Sequence, residues 1–268
     1  MGHPFFALAF HAYALGAMAY VAYLVRPWRG LAWAARICTG AGLLLHGAGL
    51  LRVVQAQHGF LEGPGQGVAG MTFLLLCIYL GVDLFYRIPV MGAFLTPMAL
   101  AVWAPGLLWS MDAQTRDALR GPLLPVHISI ALLGVAAFAA AAGVGVVYVL
   151  MERQVKLKHF GLLFARLPSL QVLDELNRRL VLGGFVALSL TLVTGAFFAS
   201  GQGAYWVWQP KEIGTVAAWL VFAALVGARL LAGWQGRRAA LLTMAGFGLV
   251  LLALVSSYGM SVPVGAGP

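Results

Sequence analysis

Residues 123–151 read LLPVHISIALLGVAAFAAAAGVGVVYVLM, a run without a single Asp, Glu, Lys or Arg. About 20 apolar residues in a helix cross a bilayer core roughly 30 Å thick. Backbone N–H and C=O groups in lipid must be bonded internally, so such a run reads as a helix. It is too long and too evenly apolar for a barrel strand. Seven further runs of the same kind lie at roughly 4–25, 31–51, 68–86, 89–109, 180–200, 213–233 and 239–257. The first lacks a basic start and is longer than a typical signal core, so it reads as a retained helix. Small residues such as Ala136 to Gly143 suit close helix–helix approach. With 62% hydrophobic and only 9% charged residues, the chain falls outside the range of soluble domains. The fold class is all-α: a polytopic membrane helix bundle of about eight transmembrane helices, one integral membrane domain over residues 1–268.

The net charge of +9 is unevenly distributed. Arg26, Arg29, Arg36, Arg87, Arg153, Lys156, Lys158, Arg166, Arg178, Arg179, Arg229, Arg237 and Arg238 fall on one side of the expected bundle. Arg52, Arg116, Arg120 and Lys211 fall on the other. That bias is the positive-inside pattern, and it orients both termini to the extracytoplasmic side. The basic charge is topological rather than a nucleic-acid footprint. The segment 152–179 is a basic cytoplasmic loop, within which Pro168-Ser169-Leu170, Asp174-Glu175 and the spacing of Leu170, Leu173, Leu176 and Leu180 predict a short amphipathic helix at the inner surface. Asp83 is expected to pair with Arg87 at i+4. Cys38 and Cys77 form no Cys-x-x-Cys motif and read as small buried residues.

Three outer loops are long enough to matter: 52–67, 110–122 and 201–212. The third holds Tyr205-Trp206-Val207-Trp208-Gln209-Pro210-Lys211-Glu212. A tryptophan-rich outer segment over 201–213 is too polar for a lipid-facing helix and reads as an aromatic platform. His11, His46 and His127 map near its level, all in the outer half; His3 and His58 also fall outside, and His159 falls on the cytoplasmic loop. A histidine in an apolar span needs a partner. That partner is either an interhelical hydrogen bond or a ligand, and imidazole is a common axial ligand of heme iron. Indole faces can stack on a porphyrin, and Lys211, Arg116, Arg120 or Arg52 can pair with its propionates. No close His/Cys/carboxylate cluster suggests zinc. Glu212 is equally suited to an interfacial charge pair with Lys211 at a helix N-terminus.

The frame from Gln202 to Ile213 resembles the tryptophan-rich motif of the polytopic heme-handling proteins of cytochrome c assembly, with the CcsA and HemX-like members nearest in size. Gly203, Trp206, Trp208, Pro210, Lys211 and Glu212 fit that motif; Gln202, Gln209 and Ile213 depart from it. Pro125-Val126-His127-Ile128, Glu152-Arg153, Pro168-Ser169-Leu170, Asp174, Trp219, Arg229, Trp234, Gly236-Arg237-Arg238-Ala239 and Gly246-Phe247 extend the likeness from about residue 40 onward. The resemblance implies a heme-binding, multi-pass protein of a bacterial inner membrane that presents or moves heme b at the outer face. Apocytochrome c, other maturation proteins and membrane lipid would be its partners, and nucleic acid would not. It would be part of a heme-attachment system rather than an enzyme alone. The expected cofactor residues are His127 and His46 as iron ligands, Trp206 and Trp208 as platform, and Lys211 and Glu212 beside it. Family members carry a second outer histidine after the tryptophan segment. This chain has none after His159, so His46 or Met260 would replace it, or heme would bind through one ligand. That departure leans toward the HemX-like branch, whose alternative role is a regulatory or scaffold protein acting on heme biosynthesis. A solute transporter is disfavoured by the few embedded charges and the lack of paired broken helices.

Overall fold

The structure is a computed structural model that describes residues 4–57, 64–107, 123–158, 164, 167–201 and 210–259, with the side chains of 57, 64, 198–201, 210–211 and 254–259 outside that description. Among the described residues, eight α-helices follow one another: α1 Pro4–Val25, α2 Arg29–Gln57, α3 Pro64–Tyr86, α4 Gly92–Gly106, α5 Leu124–Lys156, α6 Leu170–Gly201, α7 Pro210–Leu231 and α8 Arg237–Gly259. A 3₁₀ turn, Pro89–Met91, leads into α4. No strand occurs among the described residues. Helices α1 to α7, with the turn before α4, are long and apolar enough to cross a membrane. α8 is 23 residues long.

Large apolar side chains such as Leu8, Leu15, Met18, Leu44, Phe85 and Leu231 are exposed, as expected where lipid replaces water around a bundle. The interior is built from rings set against small residues. On α1, Phe6 and Tyr13 stand seven residues apart. They face Gly49 and Gly42 of α2, where an added Cβ would come within 2.7 Å and 2.5 Å of the rings. The equal steps in opposite directions fix α1 and α2 as antiparallel neighbours, with aromatic knobs seated on side-chain-free holes. A second junction joins four helices. Phe138 of α5 stacks on Phe222 of α7, centroids 3.6 Å apart. Gly184 of α6 lies beneath the first ring and Gly246 of α8 beneath the second. α5 is the central helix, touching α3, α4, α6 and α8, and Ala136 to Ala142 are all buried.

Two expectations are corrected here. The amphipathic helix expected from Leu170 to Leu180 is not a separate surface element. α5 runs on to Lys156, and α6 begins at Leu170 and continues unbroken to Gly201. Nothing between Leu170 and Leu182 breaks a helix, and Leu173 and Leu176 are buried, so packing holds the first turns in line with the rest. Its 32 residues span about 48 Å, more than a bilayer core, and the charged first turns extend past the apolar part. Asp83 does not pair with Arg87. Its carboxylate accepts from Arg36 Nε at 2.9 Å and Nη2 at 3.0 Å, and from Tyr20 Oη at 3.4 Å. α3 ends at Tyr86, and Arg87 takes a left-handed φ of 55°, which breaks the helical spacing that an i+4 pair requires. Asp83, fully buried, instead finds its cation across the interface on α2.

Candidate functional site

His127 lies three residues into α5, His11 seven residues into α1, and His46 eleven residues before the end of α2. α2 continues past Arg52 to Gln57, so the level of His46 is set by its neighbours rather than by the helix end. Those neighbours are Phe6, two residues into α1, and Trp103, three residues from the end of α4. His11 faces outward and satisfies itself, Nδ1 lying 2.7 Å from Ala7 O of its own helix.

His46 is fully buried in an aromatic cage. Its ring stacks on Trp103 of α4 at 4.2 Å and 12° and meets the edges or faces of Phe6, Tyr13 and Phe73 at 5.6–5.9 Å. Nδ1 shares a 3.3 Å hydrogen bond with Tyr13 Oη. Nε2 is buried with no hydrogen-bond partner among the described residues. Leaving such a group unsatisfied costs about 1–3 kcal/mol, which makes His46 a candidate functional position.

His127 is half-buried and more accessible. Its Nδ1 lies 2.7 Å from Thr194 Oγ1 on α6. Thr194 Oγ1 also lies 2.8 Å from Leu190 O and 3.2 Å from Thr191 O. The contact ties the His127 ring to α6 and sets its orientation. This is the arrangement in which a histidine ligates iron or another metal, with the distal nitrogen anchored by a neighbour. Gly195 lies beside the ring, where an added Cβ would stand 3.5 Å from His127 Cε1, an ordinary contact. Among the described residues no three His, Cys, Asp or Glu assemble a metal site.

Trp206, Trp208, Met260, Arg116, Arg120, His3, His58 and His159 lie outside the described residues, as does the side chain of Lys211. Glu212 is described. It sits in the first turn of α7, where a carboxylate complements the helix dipole, and its Oε2 is buried with no partner among the described residues. Cys38 and Cys77 are free, half-buried thiols. Thr194 and Trp103 are the site residues that sequence reasoning missed. Thr194 gave one signal, a hydroxyl near the outer end of an apolar run; Trp103 gave none that separates it from a core aromatic.

A polar network occupies the opposite end. Asn177 of α6 donates to Ala141 O and accepts from Arg229 Nη2 at 2.7 Å. Thr243 of α8 lies 3.2 Å from the same Asn177 oxygen. Asp174 accepts from Gly236 N–H at 2.9 Å and pairs with Arg229 at 3.3 Å. Gly236 is needed here: its φ is +71°, and a Cβ would come 2.7 Å from Tyr148 Oη.

Residues 66–261 match the family described as cytochrome C assembly protein. The cytochrome c biogenesis protein CcsA of Synechococcus sp. (strain CC9902) is 30% identical over 242 residues, covering 80% of this chain and 79% of the relative. CcsA of Prochlorococcus marinus (strain NATL1A) is 28% identical over 238 residues, 77% of this chain and 75% of the relative. CcsA of Synechococcus sp. (strain JA-2-3B'a(2-13)) is 45% identical over a shorter stretch of 91 residues, 34% of this chain and 26% of the relative.

Proposed function

This chain belongs to the cytochrome c assembly protein family, and from that premise we propose that it serves cytochrome c maturation by holding heme as cargo near the outer end of the bundle. The observation that carries this reading is His127, three residues into α5, with its ring held by a 2.7 Å contact from Nδ1 to Thr194 Oγ1 on α6. Trp206 and Trp208 would offer faces to the macrocycle, Lys211 a cation to a propionate, and Glu212 a buried carboxylate at the same end of α7. His46 would be the second imidazole. The basic ends of the helices would face the cytoplasm by the positive-inside rule, placing both termini and the tryptophan segment outside, in a bacterial inner membrane. Heme b, apocytochrome c and further maturation proteins follow as cargo and partners. Attachment chemistry would need an acceptor thiol and a reductant supplied by those partners.

The full chain, purified in a neutral detergent, is to be titrated with heme while the visible spectrum is recorded. A saturable Soret shift that His127→Ala removes is the expected result. A shift unchanged in that variant would overturn the ligand assignment, and no shift at all would overturn heme binding.

A further inference from the structure

At the basic end, α5, α6 and the turn into α8 enclose a cleft of about 660 Å³. Its charged lining is Arg178, Arg179 and Arg229 against Asp174 and Glu175. Both carboxylates are already engaged. Glu175 accepts from Arg178 Nε and Nη2, each at 2.8 Å, and from Arg179 Nε at 2.6 Å. Asp174 holds Gly236 N–H and Arg229. Arg229 is the unusual member. Its side chain is only 4% exposed, Nη2 alone is bonded, and Nε and Nη1 are buried with no acceptor among the described residues. A buried guanidinium is held in place by paired acceptors, and here the donors outnumber them. The first turn of α6 adds to the deficit. Leu170 and Gln171 line the cleft at a helix start, where backbone N–H groups lack intrahelical partners and the dipole favours an anion.

We propose that this cleft is a binding site for a phosphoryl oxyanion, recognised by Arg229 at its floor and Arg178 at its rim. Guanidinium forks match phosphate oxygens in geometry and charge. The volume exceeds what a bare anion fills and lies in the range of small-molecule sites. Leu170 and the partly exposed Trp234 give the cleft an apolar lip. The site lies at the end of the bundle where Arg153, Lys156, Arg237 and Arg238 also collect, the level at which basic pockets between helices meet lipid headgroups. The phosphoryl group can come from an anionic phospholipid or from a soluble phosphate. Neither depends on heme binding at the other end.

Native mass spectrometry of the full chain in a neutral detergent, titrated with phosphatidylglycerol and with phosphatidylcholine, separates the first source. Melting with and without millimolar inorganic phosphate separates the second. The expected result is retention of phosphatidylglycerol at least tenfold above phosphatidylcholine, a phosphate-dependent rise in melting temperature, or both. The double variant Arg178→Gln/Arg179→Gln, at exposed positions, should fold normally and lose the effect. Arg229→Gln should lose it as well wherever that variant still folds. Equal retention of the two lipids with no phosphate response, or a response identical in wild type and the double variant, overturns the proposal.

Discussion

Replacing Thr194 by valine keeps the shape of the side chain and removes one oxygen. That oxygen lies 2.7 Å from His127 Nδ1 and 2.8 Å from Leu190 O, and a His127 that ligates through Nε2 requires it to accept from Nδ1–H. Without it the imidazole loses the contact that sets its orientation, while Nε2 becomes less basic. Losing such an outer partner typically lowers metal affinity about 10- to 100-fold, which corresponds to about 1.4–2.8 kcal/mol. Fold stability should change by less than about 1 kcal/mol, because a half-buried threonine hydroxyl contributes little beyond one hydrogen bond. The assay is a heme titration of wild type, Thr194→Val and Thr194→Ser, read at the Soret band, with melting temperature recorded for each. Valine should raise the apparent Kd at least tenfold with a nearly unchanged melting temperature, and serine, which keeps the hydroxyl, should stay close to wild type. A valine variant within twofold of wild type, in a protein whose binding His127→Ala abolishes, would refute the anchoring argument while leaving the ligand in place.

Other substitutions separate packing from chemistry. Asp83→Asn strands the Arg36 guanidinium in the interior and should destabilise the bundle by about 3–5 kcal/mol; the paired change Asp83→Leu/Arg36→Met should recover most of the loss in thermal melting, and failure to recover would point to a role beyond charge pairing. Gly184→Ala places a Cβ 2.8 Å from the Phe138 ring, which is pinned by its stack on Phe222. A cost of about 1–3 kcal/mol is expected, whereas Gly183→Ala, with open space around it, should be neutral or slightly stabilising. Equal melting temperatures for the two would disprove the four-helix junction as a tight point. His46→Phe removes the unsatisfied Nε2 and keeps the stack on Trp103, so it should raise stability by about 1 kcal/mol and, where His46 serves as the second ligand, weaken or respectrally shift bound heme; a destabilised variant would mean that the imidazole has a polar partner in the fold.

The helices were legible because each apolar run is long enough to admit one reading in lipid. Their ends were not, and the errors are physical in origin. Arg52 and the charges Asp174 to Arg179 mark the membrane boundary in composition, but α2 and α6 continue through them as helix, since a helix leaving the bilayer keeps its hydrogen bonds in water. The extension of α2 leaves His46 beside Phe6, near the start of α1, and Trp103, near the end of α4, so its burial comes from the rings around it rather than from its place along the helix. The family resemblance was legible from the motif, and residues 66–261 bear it out.

Partners were harder to read than positions. Asp83 has Arg87 four residues away in sequence, and in a solvated helix that pair would be a reasonable choice. In the bundle the choice is decided by which face is buried: Asp83 is fully enclosed, so it takes the cation that can follow it inside, Arg36 of α2, and Arg87 turns away at the helix end. The same logic distinguishes the two histidines. His46 is surrounded by rings that offer one long hydrogen bond, and its second nitrogen stays unsatisfied. His127 faces a hydroxyl of α6 that holds its Nδ1. A polar residue inside an apolar run therefore declares its chemistry only when the facing residue on the antiparallel neighbour is known. For His127 that neighbour is Thr194, 67 residues away in sequence, and the proposed ligand role depends on this contact to hold the ring.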